Sequence, residues 1–180
     1  MREQLRASIR EATALDHAVY AAIASRQTPT LDRGLVALSR AADYSKLWLG
    51  SAAVLAVAGG PSGRRAAFRG LAAIAVASGT VNMGVKVLSR RARPDRADVP
   101  EARQIRMPIS TSFPSGHAAS AFAFATAAGH GVVAFDLPLR VLATAVAYSR
   151  VHTGVHYPGD VLVGSLIGGA AGNAVAAIRR

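Results

Sequence analysis

The chain has 180 residues, enough for one domain, and no cysteine, which excludes disulfides, thiolate nucleophiles and thiolate metal sites. It is 51% hydrophobic with few aromatics and only 17% charged, below the roughly one quarter of a soluble domain. Its net charge of +11 lies between apolar segments rather than on a face interleaved with aromatics, which argues against nucleic acid and for anionic headgroups or a phosphorylated lipid.

Residues 1–12 are polar, and no apolar core ending in a small-residue cleavage site follows them, so no signal peptide is expected. Two amphipathic stretches come next. Leu15, Val19, Ala22 and Ile23 recur at helical spacing, as do Leu31, Leu35, Leu38 and Ala42, with Asp32, Arg33, Arg40 and Asp43 at polar positions. Thr28-Pro29-Thr30 breaks the chain between them. They read as interfacial helices on a membrane, with a dipping hairpin or ordinary packing helices as the alternatives.

Five apolar segments then approach the length of about 20 residues that crosses a bilayer: 47–60, 66–88, 115–135, 137–151 and 161–178. Tyr44 and Trp48 are placed to anchor the first at the interface, and Arg69 can snorkel from the second. Pro61-Ser62-Gly63 reads as the turn between these two. The longest polar connection, 89–113, holds Arg90, Arg91, Arg93, Arg96, Arg103 and Arg106. If the spans alternate, this loop and 151–160 emerge on one side. The expected fold is all-α: an integral membrane helical bundle with five or six transmembrane helices plus N-terminal interfacial helices. It is read as a single domain over 1–180, with 1–46 amphipathic and 47–180 the bundle.

Three segments between 86 and 160 carry chemistry. Lys86 and Arg93 are two helical turns apart and share a face if the second span continues that far, with Arg90 on the same face and Pro94 ending the helix. Ser112-Phe113-Pro114-Ser115-Gly116-His117 reads as a helix start with Ser112 as N-cap. Free N–H groups there bind anions, Gly116 lets a phosphate approach the backbone, and His117 can protonate a leaving oxygen. Ser149-Arg150 closes the fourth span. His156 and Asp160 follow, and a carboxylate reaching one imidazole nitrogen fixes its tautomer and frees the other to attack.

His152 and His156, four apart and followed by Asp160, also have the spacing of helical zinc ligands. Pro158-Gly159 breaks the helix that this spacing presumes, and the arginines suit an anion, so neither metal nor cofactor is expected. His17 and His130 are assigned no role.

Taken together, Lys86-x6-Arg93-Pro94, Pro114-Ser115-Gly116-His117 and Ser149-Arg150-x5-His156-x3-Asp160 resemble the type 2 phosphatidic acid phosphatase family, the membrane branch of the superfamily that includes vanadium haloperoxidases. The three-part pattern is matched without a gap or substitution. The short first span and the amphipathic N-terminal part, where many members have an extra span, leave five or six spans open.

The resemblance implies that His156 is the nucleophile forming a phosphohistidine, that Asp160 orients it, and that His117 is the general acid. It implies that Lys86, Arg93 and Arg150 hold the phosphoryl oxygens with the Ser115 hydroxyl and Gly116 amide. The expected activity is metal-independent hydrolysis of a lipid phosphate or diphosphate: polyprenyl, phosphoribosyl-polyprenol or phosphatidic-acid-like. A non-catalytic lipid-phosphate binder or transporter on the same scaffold is the alternative, and the intact His117–His156–Asp160 set argues against it. A vanadate-dependent oxidase fits poorly with the spans and few aromatics.

The expected setting is the cell membrane. Arg2, Arg6, Arg10, Arg26, Arg33, Arg40, Lys46 and the loop arginines share the site-bearing face, against Arg64, Arg65, Arg69, Arg140, Arg179 and Arg180 opposite, which places the site on the cytoplasmic side.

Overall fold

The computed structural model describes residues 1–178; Arg179 and Arg180, counted above toward orientation, lie outside the described residues. The order is α1 (Arg2–Ala24), α2 (Pro29–Ala41), α3 (Lys46–Ala58), α4 (Gly60–Gly79) continued by a wide π turn Thr80–Val85 into α5 (Lys86–Leu88), then α6 (Gly116–Gly129), α7 (Val133–His152) and α8 (Pro158–Ala177). No strand occurs among the described residues. The all-α expectation holds.

Helix α6 is the hub, packed against α4, α7 and α8. Its turns are almost wholly buried, from Ala118 and Ala119 through Ala128. Alanines allow the backbones close together. On α8, Gly164, Gly168 and Gly172 recur every fourth residue and form one stripe. A Cβ on Gly168 would overlap Ala119 O, and one on Gly172 would lie 2.9 Å from Ala123 O. This is close helix packing by small residues, which suits helices in lipid, where burial of apolar surface gives no drive to associate. Trp48 and Phe124, 5.4 Å apart, fill the opposite side of α6.

Several boundaries differ from expectation. The turn after α3 lies at Gly59-Gly60, with Gly60 at φ 56, and Pro61-Ser62-Gly63 forms the first turn of α4. Proline is tolerated there, and Gly63 packs on the Leu55 carbonyl where a side chain would clash. The expected span 115–135 is broken at residues 130–132, and Asp136 of α7 packs on Gly129, where a Cβ would clash. Trp48 is buried in the bundle, not anchored at an interface, while Tyr44 is exposed.

Among the described residues, two helical segments are long and apolar enough to cross a membrane, Gly60–Leu88 and Pro158–Ala177. Helices α3 and α6 have 13 and 14 residues, and α7 carries Asp136, Arg140 and Arg150.

The N-terminal helices form as expected on either side of the Thr28-Pro29 break, but Asp32 faces inward. It accepts from Arg103 Nε at 2.8 Å, Thr28 Oγ1 at 3.0 Å and His152 Nε2 at 3.0 Å. Arg103 is fully buried and also donates to the Arg26 carbonyl. Burying that guanidinium requires this full set of acceptors. The cluster ties the 89–113 loop to α2 and α7, and so fixes where the loop's other arginines point.

Candidate active site

The Tyr157-Pro158-Gly159-Asp160 sequence builds the start of α8. Asp160 is its third residue, and its Oδ2 accepts from the Tyr157 backbone N–H at 2.9 Å, closing a capping box. The cap turns the carboxylate back toward the preceding loop. There it also accepts from Ser112 Oγ and from Arg91 Nη1 at 2.8 Å, while wholly buried. The glycine stripe of α8 holds this turn against the start of α6, where Ser115 N–H donates to Asp160 O at 2.9 Å.

His156 lies in the α7–α8 loop, which turns through Gly154 at φ 71. Its Nδ1 faces Asp160 Oδ2 at 3.5 Å, without a formed hydrogen bond. Its Nε2 is 3.3 Å from Arg93 Nη1. A guanidinium has no acceptor, so the contact assigns the lone pair to Nε2 and the proton to Nδ1. Burial, opposed by Asp160 and reinforced by Arg93 and Arg150, pushes the imidazole from 6.5 down to about 3. The ring is therefore neutral at physiological pH.

Arg93 is pinned by carbonyls: Val155 O at 2.6 Å, Ser110 O at 2.9 Å and Thr111 O at 3.3 Å. It does not share a helix with Lys86, as expected from their spacing. Helix α5 ends at Leu88, Ser89 is extended, and the chain folds back so that both cations meet on Ser110 Oγ, Lys86 at 3.2 Å and Arg93 at 3.3 Å. Arg90 stays exposed. A Cβ on Gly116 would lie 3.9 Å from Lys86 Nζ, an ordinary contact, which places the α6 N-terminus beside this cation.

Ser115, not Ser112, is the α6 N-cap, accepting from Ala118 N–H. Ser112, three residues earlier, instead donates its hydroxyl to Asp160 Oδ2. His117 Nε2 contacts Asp43 Oδ1 at 2.9 Å. Arg150 Nη1 donates to Ser39 Oγ at 2.6 Å, and its buried Nε meets no acceptor among the described residues, leaving a donor for an anion.

The fold thus gathers two linked clusters, Lys86–Ser110–Arg93–His156–Asp160 and His117–Asp43–Arg150. His152 and His156 face different carboxylates, Asp32 and Asp160, so the zinc spacing assembles no shared site. His17 stacks on Tyr157 at 4.6 Å and His130 contacts Asn173 at 3.1 Å, both outside the clusters. Sequence reasoning did not single out Ser39, Asp43, Arg91 or Ser110. The hydroxyl run Ser110-Thr111-Ser112 was a signal for the last. The others come from elements far away in the chain, and no local pattern marks them.

A sequence profile described as the PAP2 superfamily matches residues 67–180, which contain all three motifs. The chain belongs to this superfamily. It is 36% identical over 149 residues to a decaprenylphosphoryl-5-phosphoribose phosphatase of Mycolicibacterium smegmatis, covering 82% of this chain and 77% of that protein. The like-named protein of Mycobacterium tuberculosis is 44% identical over 89 residues, and the match spans about half of each, 49% and 48%. Among solved structures, Aquifex aeolicus LpxE superposes with a TM-score of 0.71 at 25% identity, covering 89% of this chain and 94% of that one. A transmembrane PAP2 type phosphatidylglycerolphosphate phosphatase of Bacillus subtilis has the same fold, with a TM-score of 0.72 at 22% identity and coverage of 92% and 84%.

Proposed function

We propose that this protein is a multi-pass membrane phosphatase that hydrolyses a phosphomonoester on a polyprenyl lipid and releases phosphate, with a phosphoribosylated polyprenol phosphate as the favoured class, through a phosphohistidine on His156. The observation that carries this reading is the neutral, buried His156, with its Nε2 lone pair against Arg93 and its Nδ1 toward Asp160. The names of the curated relatives support the lipid class.

Phosphoryl transfer needs mainly positioning and charge stabilisation. Lys86, Arg93 and Arg150, with the Ser115 hydroxyl and Gly116 amide, hold the phosphoryl oxygens. The phosphate displaces Arg93 from Nε2 and takes the guanidinium as its own partner. Nε2 attacks phosphorus, Asp160 stabilises the positive charge that develops on the imidazole, and His117 protonates the departing alkoxide. Water then hydrolyses the phosphohistidine. An apolar groove of about 940 Å³, lined in part by Ile23, Phe122, Leu162 and Leu166, reaches Pro158 beside the site and suits an isoprenoid chain.

The whole chain 1–180 acts as one domain. Five spans, α3, α4–α5, α6, α7 and α8, carry the site on the cytoplasmic face, with α1 and α2 at that interface. The test is phosphate release by purified protein, in EDTA, against a panel of polyprenyl, phosphoribosyl-polyprenol, phosphatidic acid and phosphatidylglycerophosphate substrates. Release is expected from a polyprenyl class, with inhibition by vanadate and no turnover by His156→Ala. Near-wild-type turnover by that variant, or a strict divalent-metal requirement, refutes the proposal.

A further inference from the structure

The turn between α2 and α3 is locally unfavourable. Tyr44 and Ser45 both adopt left-handed backbone, φ 55 and φ 59, a region that non-glycine residues with a Cβ rarely occupy. Tyr44 does not bury its side chain in exchange; it is 84% exposed. What the turn delivers is the residue before it. Asp43 projects into the candidate site, with Oδ1 at 2.9 Å from His117 Nε2 and 3.8 Å from Arg150 Nη1. A carboxylate among cations that hold a phosphate works against substrate binding, so its placement calls for a compensating use. Backbone strain of this kind persists where the surrounding structure enforces it, commonly at functional sites.

We propose that Asp43 is a positioning residue for His117, holding its Nε2–H so that Nδ1–H is the proton given to the leaving oxygen. The inference rests on the phosphatase reading above. Among the described residues the His117 ring is hydrogen-bonded through Nε2 alone, and it keeps 26% exposure, so Nδ1 can meet a substrate oxygen. In the step, His117 starts as the imidazolium, its charge facing the Asp43 carboxylate; the His156 Nε2–P bond forms as the P–O bond breaks with its electron pair passing to the ester oxygen, and the Nδ1 proton passes to that oxygen. His117 is left neutral, still bound to Asp43 through Nε2–H. The arrangement parallels a histidine whose tautomer is set by a carboxylate on its other nitrogen. Among the described residues, the charged groups acting on His117 are Asp43, Arg150 and Lys86, of which Asp43 is the anion. The carboxylate is in turn held below the usual range, first by its hydrogen bond to His117, so it stays ionised where the enzyme works.

The alternative is that Asp43 merely fills an empty anion site and blocks it. The two readings differ in sign. The experiment compares kcat/KM of wild type and Asp43→Asn on two phosphomonoesters: an alkyl phosphate, whose leaving oxygen needs a proton, and p-nitrophenyl phosphate, whose leaving group does not. kcat/KM covers the steps up to departure of the leaving group, and the ratio of the two values on one preparation cancels the fraction of folded enzyme. Asp43→Asn is expected to lose about 10- to 100-fold on the alkyl ester and less than about threefold on the aryl ester. The alkaline limb of its alkyl-ester pH profile moves to lower pH. Equal loss on both esters, no loss, or a gain through lower KM overturns the proposal. If Asp43→Asn does not fold, Asp43→Glu supplies the ratio, with a smaller selective loss expected and the same overturning outcomes. Wild type inactive on both esters and on the lipid panel would refute the phosphatase reading itself, and this inference with it.

Discussion

Replacing Gly168 by alanine tests whether the contact between α8 and α6 sets the catalytic geometry. The added Cβ would overlap Ala119 O and lie 2.9 Å from its carbonyl carbon, where ordinary contact begins near 3.4 Å. Backbone is on the receiving side, so no side chain can swing away, and α8 must retreat by about 1 Å. Asp160 lies two turns earlier on the same helix, bonded to Ser115 at 2.9 Å, so that retreat moves the carboxylate away from His156 and the α6 N-terminus together. Overpacking of this kind costs about 1–3 kcal/mol, offset in part by the 0.5–1 kcal/mol or so that alanine gains over glycine in a helix. A displacement of about 1 Å costs roughly 100-fold in turnover. Gly169 is the control, because nothing lies within 4 Å of a Cβ added there. The assay is phosphate release in detergent alongside thermal melting. Gly168→Ala is expected to lose activity far beyond its loss of stability, and Gly169→Ala to lose neither. Equal turnover by the two variants would refute the argument.

His156 titrates near 3 because of its burial, whereas a free histidine titrates near 6.5. The unfolded chain therefore takes up a proton below about pH 6.5 that the native site refuses until about pH 3. The native state loses about 1.4 kcal/mol per pH unit across that window from this group, and nothing above it. Melting of wild type and His156→Ala from pH 7 to 4 is expected to show a shallower decline for the variant, and NMR of labelled histidine one imidazole still neutral at pH 5; a titration near 6.5 would contradict the buried nucleophile. For orientation, a single cysteine at the exposed Ala97 position is expected to resist an impermeant maleimide in intact cells and to react after lysis; labelling in intact cells reverses the assignment of faces.

What could be read from the sequence was what is encoded locally. Apolar runs marked the helices, Thr28-Pro29 the break between α1 and α2, and the spacing of His156 and Asp160 a pair that meets across one capped helical turn. Those relations span a few residues, and the chain's own geometry enforces them. The structure differed where two distant segments had to agree. Helix α5 ends at Leu88, so Lys86 and Arg93 meet through Ser110 rather than along a helix. Of the loop arginines, Arg91 engages Asp160, Arg93 meets His156 and Arg103 is sunk onto Asp32. All are the same residue type in one polar stretch, and only the position of the buried acceptors distinguishes them. The same holds for Asp43, one of two acidic residues in its amphipathic stretch until the α2–α3 turn carries it to His117. Periodicity fixes which face of a helix a residue occupies, but which charge finds its counterpart depends on how the helices pack, and here that packing is set by the glycine stripe of α8 against α6.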